Sequence, residues 1–448
     1  MNLSKIHNIY FIGIGGIGMS AIALYFKNNG KNVAGYDKVS SSITENLQKN
    51  GIEIHFEDNV DLIENPFKNS ENTLVVYTPA IPKNHTELTY FKAQNFNILK
   101  RSEILGEITK NSVCLAVAGT HGKTTTSTIL GHILKENGVN VTAFLGGISE
   151  NYKSNLILGG SEITVVEADE FDRSFLNLSP NYACITSMDA DHLDIYGEHA
   201  QLEEAFKLFA NKVTDMLVVR KGLPINAKTF GLDENADYDA KNLRIENGTY
   251  IFDVKTPTDY IKNITIKLPG KHNVLNTVAA LAMANTYGIS LPAIAEALLT
   301  FKGINRRFSY KITTENLVLI DDYAHHPAEI DAVVGSVREM YPEKKILGIF
   351  QPHLYSRTRD FANEFAVSLS KFDELVLLDI YPARELPIEG VTSQWLLNKI
   401  NLKNKQVLTK KELEENIVKT NAQVIVMIGA GDIGELVQVI KNKLSVEN

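Results

Sequence analysis

Cysteine is nearly absent: 448 residues contain only Cys114 and Cys184. Each sits alone in an apolar, strand-like run, which excludes a disulfide framework and a cysteine-based metal centre. Buried thiols in a reducing cytoplasm are the expectation. Long apolar runs are missing as well, and none approaches the ~20 residues of a membrane-spanning helix. The N-terminal MNLSKIHNIYFIGIGG passes straight into a strand, with no signal-peptide h-region. No membrane insertion is therefore expected. Positive charge is in deficit, 45 Lys and Arg against 53 Asp and Glu for a net charge of -8. No basic face for nucleic acid is advertised by that balance, and none is expected. Low-complexity segments, short-period repeats and a Ser or Cys nucleophile elbow are absent too.

What remains is an ordinary globular composition, 44% hydrophobic and 22% charged, enough for a sizeable core. The length suggests about three domains. Strand-like and helical runs alternate almost throughout, predicting an α/β fold with mainly parallel sheets. Ile9–Ile14 and Asn32–Tyr36 read as strands around a Met19–Asn29 helix, and Leu74–Tyr77 as a further strand. Ile163–Val166 and Ala183–Thr186 continue the pattern. Residues 221–265 are polar and poorly periodic, and read as peripheral strands and loops. A helix is expected from about Asn273. The last third offers strands at Leu317–Ile320, Ile346–Phe350, Leu375–Leu378 and Val424–Ile428. Boundaries are expected near Thr109–Ser112 and Lys302–Phe308.

The most informative stretch is VCLAVAGTHGKTTT, Val113–Thr126. An apolar strand stops at Gly119, Thr120, His121, Gly122, Lys123 and Thr124 follow, and a helical pattern begins. Strand, glycine loop and helix are the context of a phosphate-binding loop, whose N–H groups favour anions. Lys123 would reach terminal phosphates and the Thr124 hydroxyl would ligate Mg²⁺. The loop is a short variant, because Val117 stands where the general pattern has glycine. Glu167, at the end of an apolar strand, is the best candidate to support that metal. Asp189, Asp191, His192 and Asp194 follow another strand and could hold a second cation or orient a ligand.

Gly13-Ile14-Gly15-Gly16-Ile17-Gly18 satisfies GxGxxG after a strand, and Asp37 ends the next strand, as in a dinucleotide fingerprint. Nicotinamide, flavin and nucleotide-sugar ligands all carry the pyrophosphate it would accept. Gly429–Gly434 matches the same pattern, and there a structural turn is favoured over a phosphate site. His272, Asn273 and Asn276 can share one helix face and read an adenine edge, with N-capping by Asn273 the plainer alternative. Arg306-Arg307 is placed to swing onto phosphates. DDYAHHP (321–327) and QPHLYSRTR (351–359) follow two strands and look like an anionic-substrate or amine-binding mouth.

The blocks GIGGIGMS, GTHGKTTT, VVEADEFDRSF, MDADHLDIYG, LPGKHNVLN, RRF, DDYAHHP, QPHLYSRTRD and GAGDIG lie in order over nearly the whole chain. Together they resemble the Mur ligase family. The resemblance implies three domains: a UDP-sugar-binding Rossmann-like domain over 1–108, a central P-loop ATPase-type α/β domain over 109–304, and a C-terminal Rossmann-like, amino-acid-binding domain over 305–448. It implies a cytoplasmic ligase of peptidoglycan precursor synthesis, with ATP and Mg²⁺ (or Mn²⁺) as cofactors. The muramyl carboxylate of UDP-N-acetylmuramate would become an acyl phosphate and then be captured by L-alanine. GIGGIGMS favours that branch over the recycling branch, which attaches a whole murein peptide to the same nucleotide sugar. Oligomeric state is left open.

The implied sites follow the motifs. Lys123, Arg307 and His325 are catalytic. Gly119, Thr120, His121, Gly122, Lys123, Thr124, Thr125, His272, Asn273, Asn276 and Arg307 bind ATP. Gly13, Gly15, Gly16, Gly18, Met19, Ser20, Asp37, Thr78 and Pro79 bind the UDP-sugar. Tyr323, His325, His353 and Arg357 take the amino acid, and Thr124, Glu167 and His192 the metal. Leu354 stands where many members have Arg, so that contact is either absent or supplied by Arg357 or Arg359. The carbamylated lysine of sister branches would fall at Lys207, and no carbamate is expected in the L-alanine branch. Two readings from other classes compete. A nicotinamide-dependent dehydrogenase leaves GTHGKTTT and Glu167 unexplained, and a P-loop switch ATPase leaves GIGGIGMS unexplained.

Overall fold

The computed structural model describes residues 3–189, 199–246, 249–383 and 385–446. Three sheets follow one another along the chain. The first holds β1 (Asn8–Ile12), β2 (Asn32–Tyr36), β3 (Glu53–His55), β4 (Thr73–Tyr77) and β5 (Asn97–Lys100). Its order is β3-β2-β1-β4-β5, and every pairing is parallel. The chain therefore reverses its direction of travel across the sheet between β1 and β4, the switch point at which open α/β sheets bind ligands.

The second sheet holds β6 (Val113–Ala118), β7 (Val141–Ser149), β8 (Ser154–Ile157), β9 (Ile163–Ala168), β10 (Tyr182–Ile185), β11 (Met216–Arg220), β12 (Lys228–Leu232), β13 (Tyr238–Glu246), β14 (Thr249–Lys255) and β15 (Tyr260–Ile266). Its order is β15-β14-β13-β12-β11-β10-β6-β9-β7-β8. β6 lies between β10 and β9, both parallel to it, while β7 and β8 form an antiparallel hairpin at one edge. The polar 221–265 stretch supplies the opposite edge, β12 to β15. Edge position explains its weak periodicity, since β15 has exposed residues along half its length.

The third sheet holds β16 (Ser309–Thr313), β17 (Val318–Asp322), β18 (Ile346–Phe350), β19 (Glu374–Leu377), β20 (Lys405–Val407) and β21 (Val424–Ile428), in the order β16-β17-β21-β18-β19-β20. Only β16 runs antiparallel, against β17. Val318 and Ile320 enter one apolar cluster and Leu319 the other; Val424, Val426 and Ile428 alternate with Ile425 and Met427 in the same way. Both faces are covered, so these strands read as unbroken apolar runs rather than alternating ones.

The chain divides into two compact units. One comprises Met1–Arg244, Ile251–Ile266 and Val274–Lys302, the other Ile245–Tyr250, Lys267–Asn273 and Gly303–Asn448. Within the first unit, the first two sheets share a core. Ile9 and Phe11 of β1, Ile22 and Phe26 of the Ile17–Asn28 helix, and Cys114, Ala116 and Ala118 of β6 belong to one buried cluster. Tyr25 packs its ring on Phe144 of β7 at 5.3 Å. Burial pushes the Cys114 thiol up to about 12 and raises Cys184 as well, so both are inert packing groups.

Several expected boundaries move. The first helix starts at Ile17, on the glycine turn itself, and the long helix starts at Lys271, two residues before Asn273. Asn273 is thus inside the helix and does not cap it; its Nδ2 donates to Pro269 O at 2.6 Å. β9 extends to Ala168, past the expected end at Val166, and keeps Glu167 at the end of the strand as expected.

The far face of the first sheet buries a polar cluster. The Tyr10 hydroxyl donates to Glu87 Oε2 at 2.8 Å and lies 2.7 Å from His55 Nε2, while the Asn59 N–H donates to Glu87 Oε1. Glu87 is fully buried. Burial raises its carboxyl to about 7, against the Tyr10 and Asn59 hydrogen bonds. The folded state then holds a proton that the unfolded state, with a carboxyl near ~4.3, releases between these values. This group's contribution to stability is complete at acid pH and lost as pH rises through about 7. Glu87→Gln should therefore gain on the wild type by up to about 3 kcal/mol between pH 4.5 and 7.5. Parallel denaturant melts across that range check it; a constant gap would contradict it.

Candidate active site

At the switch point of the first sheet, the Gly15 N–H donates to Asp37 Oδ2 at 2.7 Å. Asp37 thereby fixes the glycine turn from the end of β2. Gly16 caps the Ile17–Asn28 helix, and the Thr78 methyl lies against Gly13, with Pro79 next in the same loop. Gly13, Gly15, Gly16, Gly18, Asp37 and Thr78 are brought together. Met19 and Ser20 are different. Met19 is in the core, and the Ser20 hydroxyl donates to Ile17 O and accepts from Asn155 Nδ2 at 2.8 Å. Their side chains serve packing against the second sheet.

After β6 the chain turns at Gly119 and Gly122, both with positive φ; Gly122 (φ 83°) is left-handed and precedes the Lys123–Glu136 helix. A Cβ on Gly122 would lie 2.4 Å from Asn276 Oδ1, so this position needs glycine twice over. The loop is braced from β10: the His121 N–H donates to Ser187 Oγ at 2.8 Å, and the Thr120 and Ser187 hydroxyls pair at 2.9 Å. Asn276 accepts from the Thr126 hydroxyl, and Thr125 is buried in the helix's first turn. Asp189 donates its N–H to Thr120 Oγ1.

Lys123 is held between the Gly119 carbonyl, 2.6 Å away, and the Glu170 carboxylate at 2.7 and 3.1 Å. Glu170 is fully buried, and the Lys123 side chain is 16% exposed. Burial alone would lower the ammonium pKa, but Glu170, Asp169 and Glu167 outweigh it and hold Lys123 above the usual range. The lysine is a fixed cation in the ligand-free protein. The Thr124 hydroxyl donates to Glu167 Oε2 at 3.2 Å, and Glu167 Oε1 accepts from the Gly146 N–H and the Ser127 hydroxyl. Hydroxyl and carboxylate oxygens converging beside a phosphate loop are the hard donor set that suits Mg²⁺. Among the described residues, no three His, Cys, Asp or Glu side chains gather as a complete metal set. His192, Asp191 and Asp194 lie outside the described residues. Lys207 pairs with Glu203 at 3.9 Å.

In the second unit, β17, β18 and β21 end at one edge. Asp322, the last residue of β17, accepts N–H bonds from Phe308 and Ala324, both at 2.7 Å. Burial raises it to about 7 in spite of these bonds. It ties the Arg306–Arg307 turn to the Tyr323–His325 loop. The Tyr323 N–H donates to Arg306 O at 2.6 Å, and His325 Nδ1 lies 3.0 Å from Tyr323 O. Burial holds His325 below its usual pKa; Arg357 and Arg307 push the same way against Glu329. With Nδ1–H directed to Tyr323 O, Nε2 carries the lone pair. The His325 and His353 rings are 5.9 Å apart, and His353 stacks on Tyr381. Leu354 takes φ 70° at the start of the Tyr355–Asp360 helix. His272 is held near 4 by burial and by Arg307.

Arg306 departs from expectation. Its guanidinium donates to Gly429 O at 2.5 Å, lies 3.6 Å from Asp321 Oδ1, and occupies the space where a Gly434 Cβ would be. It cannot swing onto a phosphate without abandoning the Gly429–Gly434 turn. That turn is thus braced by the Arg306 guanidinium.

Family models match along the chain in order: Mur ligase family, catalytic domain, over 8–112; Mur ligase middle domain over 117–284; and Mur ligase, glutamate ligase domain, over 306–433. The chain belongs to the Mur ligase family. It is 61% identical to the UDP-N-acetylmuramate--L-alanine ligase of Flavobacterium psychrophilum over 99% of both chains. The Christiangramia forsetii protein of the same name is 59% identical, again over 99% of both. Among solved structures, the UDP-N-acetylmuramate-alanine ligase MurC of Thermotoga maritima superposes with a TM-score of 0.85 at 29% identity, covering 98% of this chain and 100% of that one. The three-domain α/β architecture of the family and its dependence on ATP apply to this chain.

The sequence singled out Gly119–Thr125 as a candidate phosphate loop but not Glu170, Asp322 or the Ser187 brace as site residues. Glu170 had one legible signal: it follows Glu167 by three residues in a turn that leaves a buried strand. The pair it forms carries a prediction. Lys123→Ala should leave the buried Glu170 charge unpaired, costing about 3–5 kcal/mol of stability, besides an activity loss on the order of 10²- to 10³-fold. Lys123→Ala/Glu170→Gln should regain most of the melting temperature and none of the activity. A single variant as stable as the wild type would show that the pair is not under strain when broken.

Proposed function

We propose that this chain joins L-alanine to the carboxylate of UDP-N-acetylmuramate at the expense of ATP, in the cytoplasm, as a step of peptidoglycan precursor synthesis. The observation that carries the proposal is the presence, in one compact unit, of two glycine turns of different kinds, each at a helix N-terminus of the sort that suits phosphate. One is a dinucleotide-type turn fixed by Asp37; the other has Lys123 and Thr124 in register with Glu167. A dehydrogenase has no use for the second loop and a switch ATPase none for the first. The names of the 61% and 59% identical relatives supply the substrates. The division at 108/109 and 304/305 is part of the same reading.

The reaction follows from charge. The muramyl carboxylate oxygen attacks the γ-phosphorus of ATP, the bond to the β-phosphate oxygen breaks, and ADP leaves. The amine of L-alanine then attacks the acyl carbon, the carbon–oxygen bond to phosphate breaks, and inorganic phosphate leaves with the bonding pair. No enzyme nucleophile is needed; positioning and neutralisation carry the catalysis. Lys123 and Arg307 neutralise the transferred phosphoryl group. Gly119 to Thr125 hold the phosphates by their N–H groups, and His272, Asn273 and Asn276 serve the nucleoside. Thr124 and Glu167, with His192, would hold Mg²⁺, which supplies further neutralisation when bound. Gly13 to Gly18, Asp37 and Thr78 to Pro79 serve the UDP-sugar. His325, neutral with its Nε2 lone pair, takes the proton that the attacking amine must lose, and Tyr323, His353 and Arg357 orient L-alanine.

Phosphate release should require ATP, UDP-N-acetylmuramate and L-alanine together. Equal turnover with the murein peptide L-Ala-γ-D-Glu-diaminopimelate in place of L-alanine would move the assignment to the recycling reaction. Release from ATP alone at the full rate would leave only an ATPase. Glu167→Gln, nearly constant in volume, should raise the Mg²⁺ concentration for half activity by about tenfold or more, the range seen when a ligand-supporting group is lost. An unchanged Mg²⁺ dependence would remove Glu167 from the metal site.

A further inference from the structure

The third glycine of the N-terminal turn, Gly18, needs no special backbone angle, yet a Cβ there would lie 2.5 Å from Arg101 Nη1 and 3.2 Å from Arg101 Cδ. Gly18 is small because an arginine crosses it. Arg101 begins the Arg101–Thr109 helix, directly after β5. The other terminal nitrogen of the same guanidinium, Nη2, lies 3.0 Å from Asp169 Oδ2. Asp169 is in the turn after β9, its second oxygen accepting from the Phe171 N–H. Its chain neighbour is Glu170, the carboxylate that clasps Lys123. The anchoring helix is itself docked on this segment: Gly106 packs on Asn177 O, and Asn177 Nδ2 donates to Ser102 Oγ at 3.1 Å. All these residues belong to one compact unit. A single planar group thus links the dinucleotide-type turn to the acidic turn that sets the phosphate-loop lysine. The Arg101 and Asp169 side chains remain 31% and 33% exposed, within reach of a ligand.

We infer that Arg101 is a positioning residue shared by the two nucleotide loops: it receives the diphosphate of the sugar nucleotide over Gly18 and, through Asp169 and Glu170, relates occupancy of that loop to the setting of Lys123. The inference rests on the sugar-nucleotide reading of the glycine turn. A guanidinium has five donors in a fixed fork, so it can serve a carboxylate on one edge and a diphosphate on another. An arriving diphosphate finds the cation already oriented by Asp169. By reciprocity, each ligand must then alter the other's affinity by the same factor.

Calorimetry on the full chain tests this, with UDP-N-acetylmuramate and a non-hydrolysable ATP analogue titrated separately and each in the presence of the other, with Mg²⁺ throughout. In the wild type, each ligand should tighten the other on the order of tenfold. Arg101→Gln should weaken the sugar nucleotide by about tenfold or more, as loss of a charge-assisted contact does, and leave the ATP analogue alone within about twofold. Arg101→Lys keeps the charge but not the fork, and should recover part of the affinity and little of the coupling. Asp169→Asn should bind each ligand alone within about threefold of the wild type and lose the coupling. A merely structural bridge would lower the melting temperature of these variants and leave the coupling intact. Wild-type coupling in Asp169→Asn, or wild-type sugar-nucleotide affinity in Arg101→Gln, would overturn the inference. A wild type that binds the ATP analogue but no UDP-N-acetylmuramate would instead overturn the functional reading beneath it.

Discussion

The buried pair of Lys123 and Glu170 constrains everything around it. An ammonium drawn out of water needs an anion. Glu170 supplies that anion, with no exposure of its own. This requirement fixes where β9 must end, because Glu167 has to reach Thr124 while Glu170, three residues on, turns back to Lys123. It also explains why β9 neighbours β6: the parallel register sets Glu167 beside Val117, one turn of chain from the loop.

The second unit solves a related problem with different means. Its strand-end loops are tied by Asp322, a carboxyl drawn deep enough that its own ionisation becomes costly, yet gripped by two backbone N–H groups. The neighbouring imidazole of His325 is kept neutral by burial and by arginines. One acid is used as a staple and one base is left uncharged, and both outcomes come from the same removal of water.

Much of this was legible in the sequence, for physical reasons that differ by element. β2, β18 and β21 appear where the apolar runs place them, because strands covered on both faces need a solid block of apolar residues. The candidate phosphate loop stands out in the sequence because its residues are contiguous: glycines, lysine and threonine. The edge strands β8 and β16, both antiparallel to their neighbours, were not anticipated, since an edge strand has a neighbour on one side only and carries a weaker pattern. Glu170 and Arg101 act through partners distant in the chain, Lys123 and Asp169, and only the spacing of Glu170 from Glu167 hints at either pair; Asp322 acts through backbone N–H groups, which no side-chain pattern announces. Met19 and Ser20 belong to a motif by position, while their side chains belong to the interface between the first two sheets.

The chain carries the GxGxxG pattern twice, and in both copies an arginine lies across the third glycine, Arg101 at Gly18 and Arg306 at Gly434. The copies differ in what else the arginine holds. Arg306 is turned inward onto a carbonyl of its own turn, so that socket is filled by the protein itself. Arg101 is turned outward onto the acidic turn that follows β9 in the second sheet. The same six-residue pattern is thus braced within its own turn in one copy and tied to a different sheet in the other, and the difference is written in a residue outside the pattern.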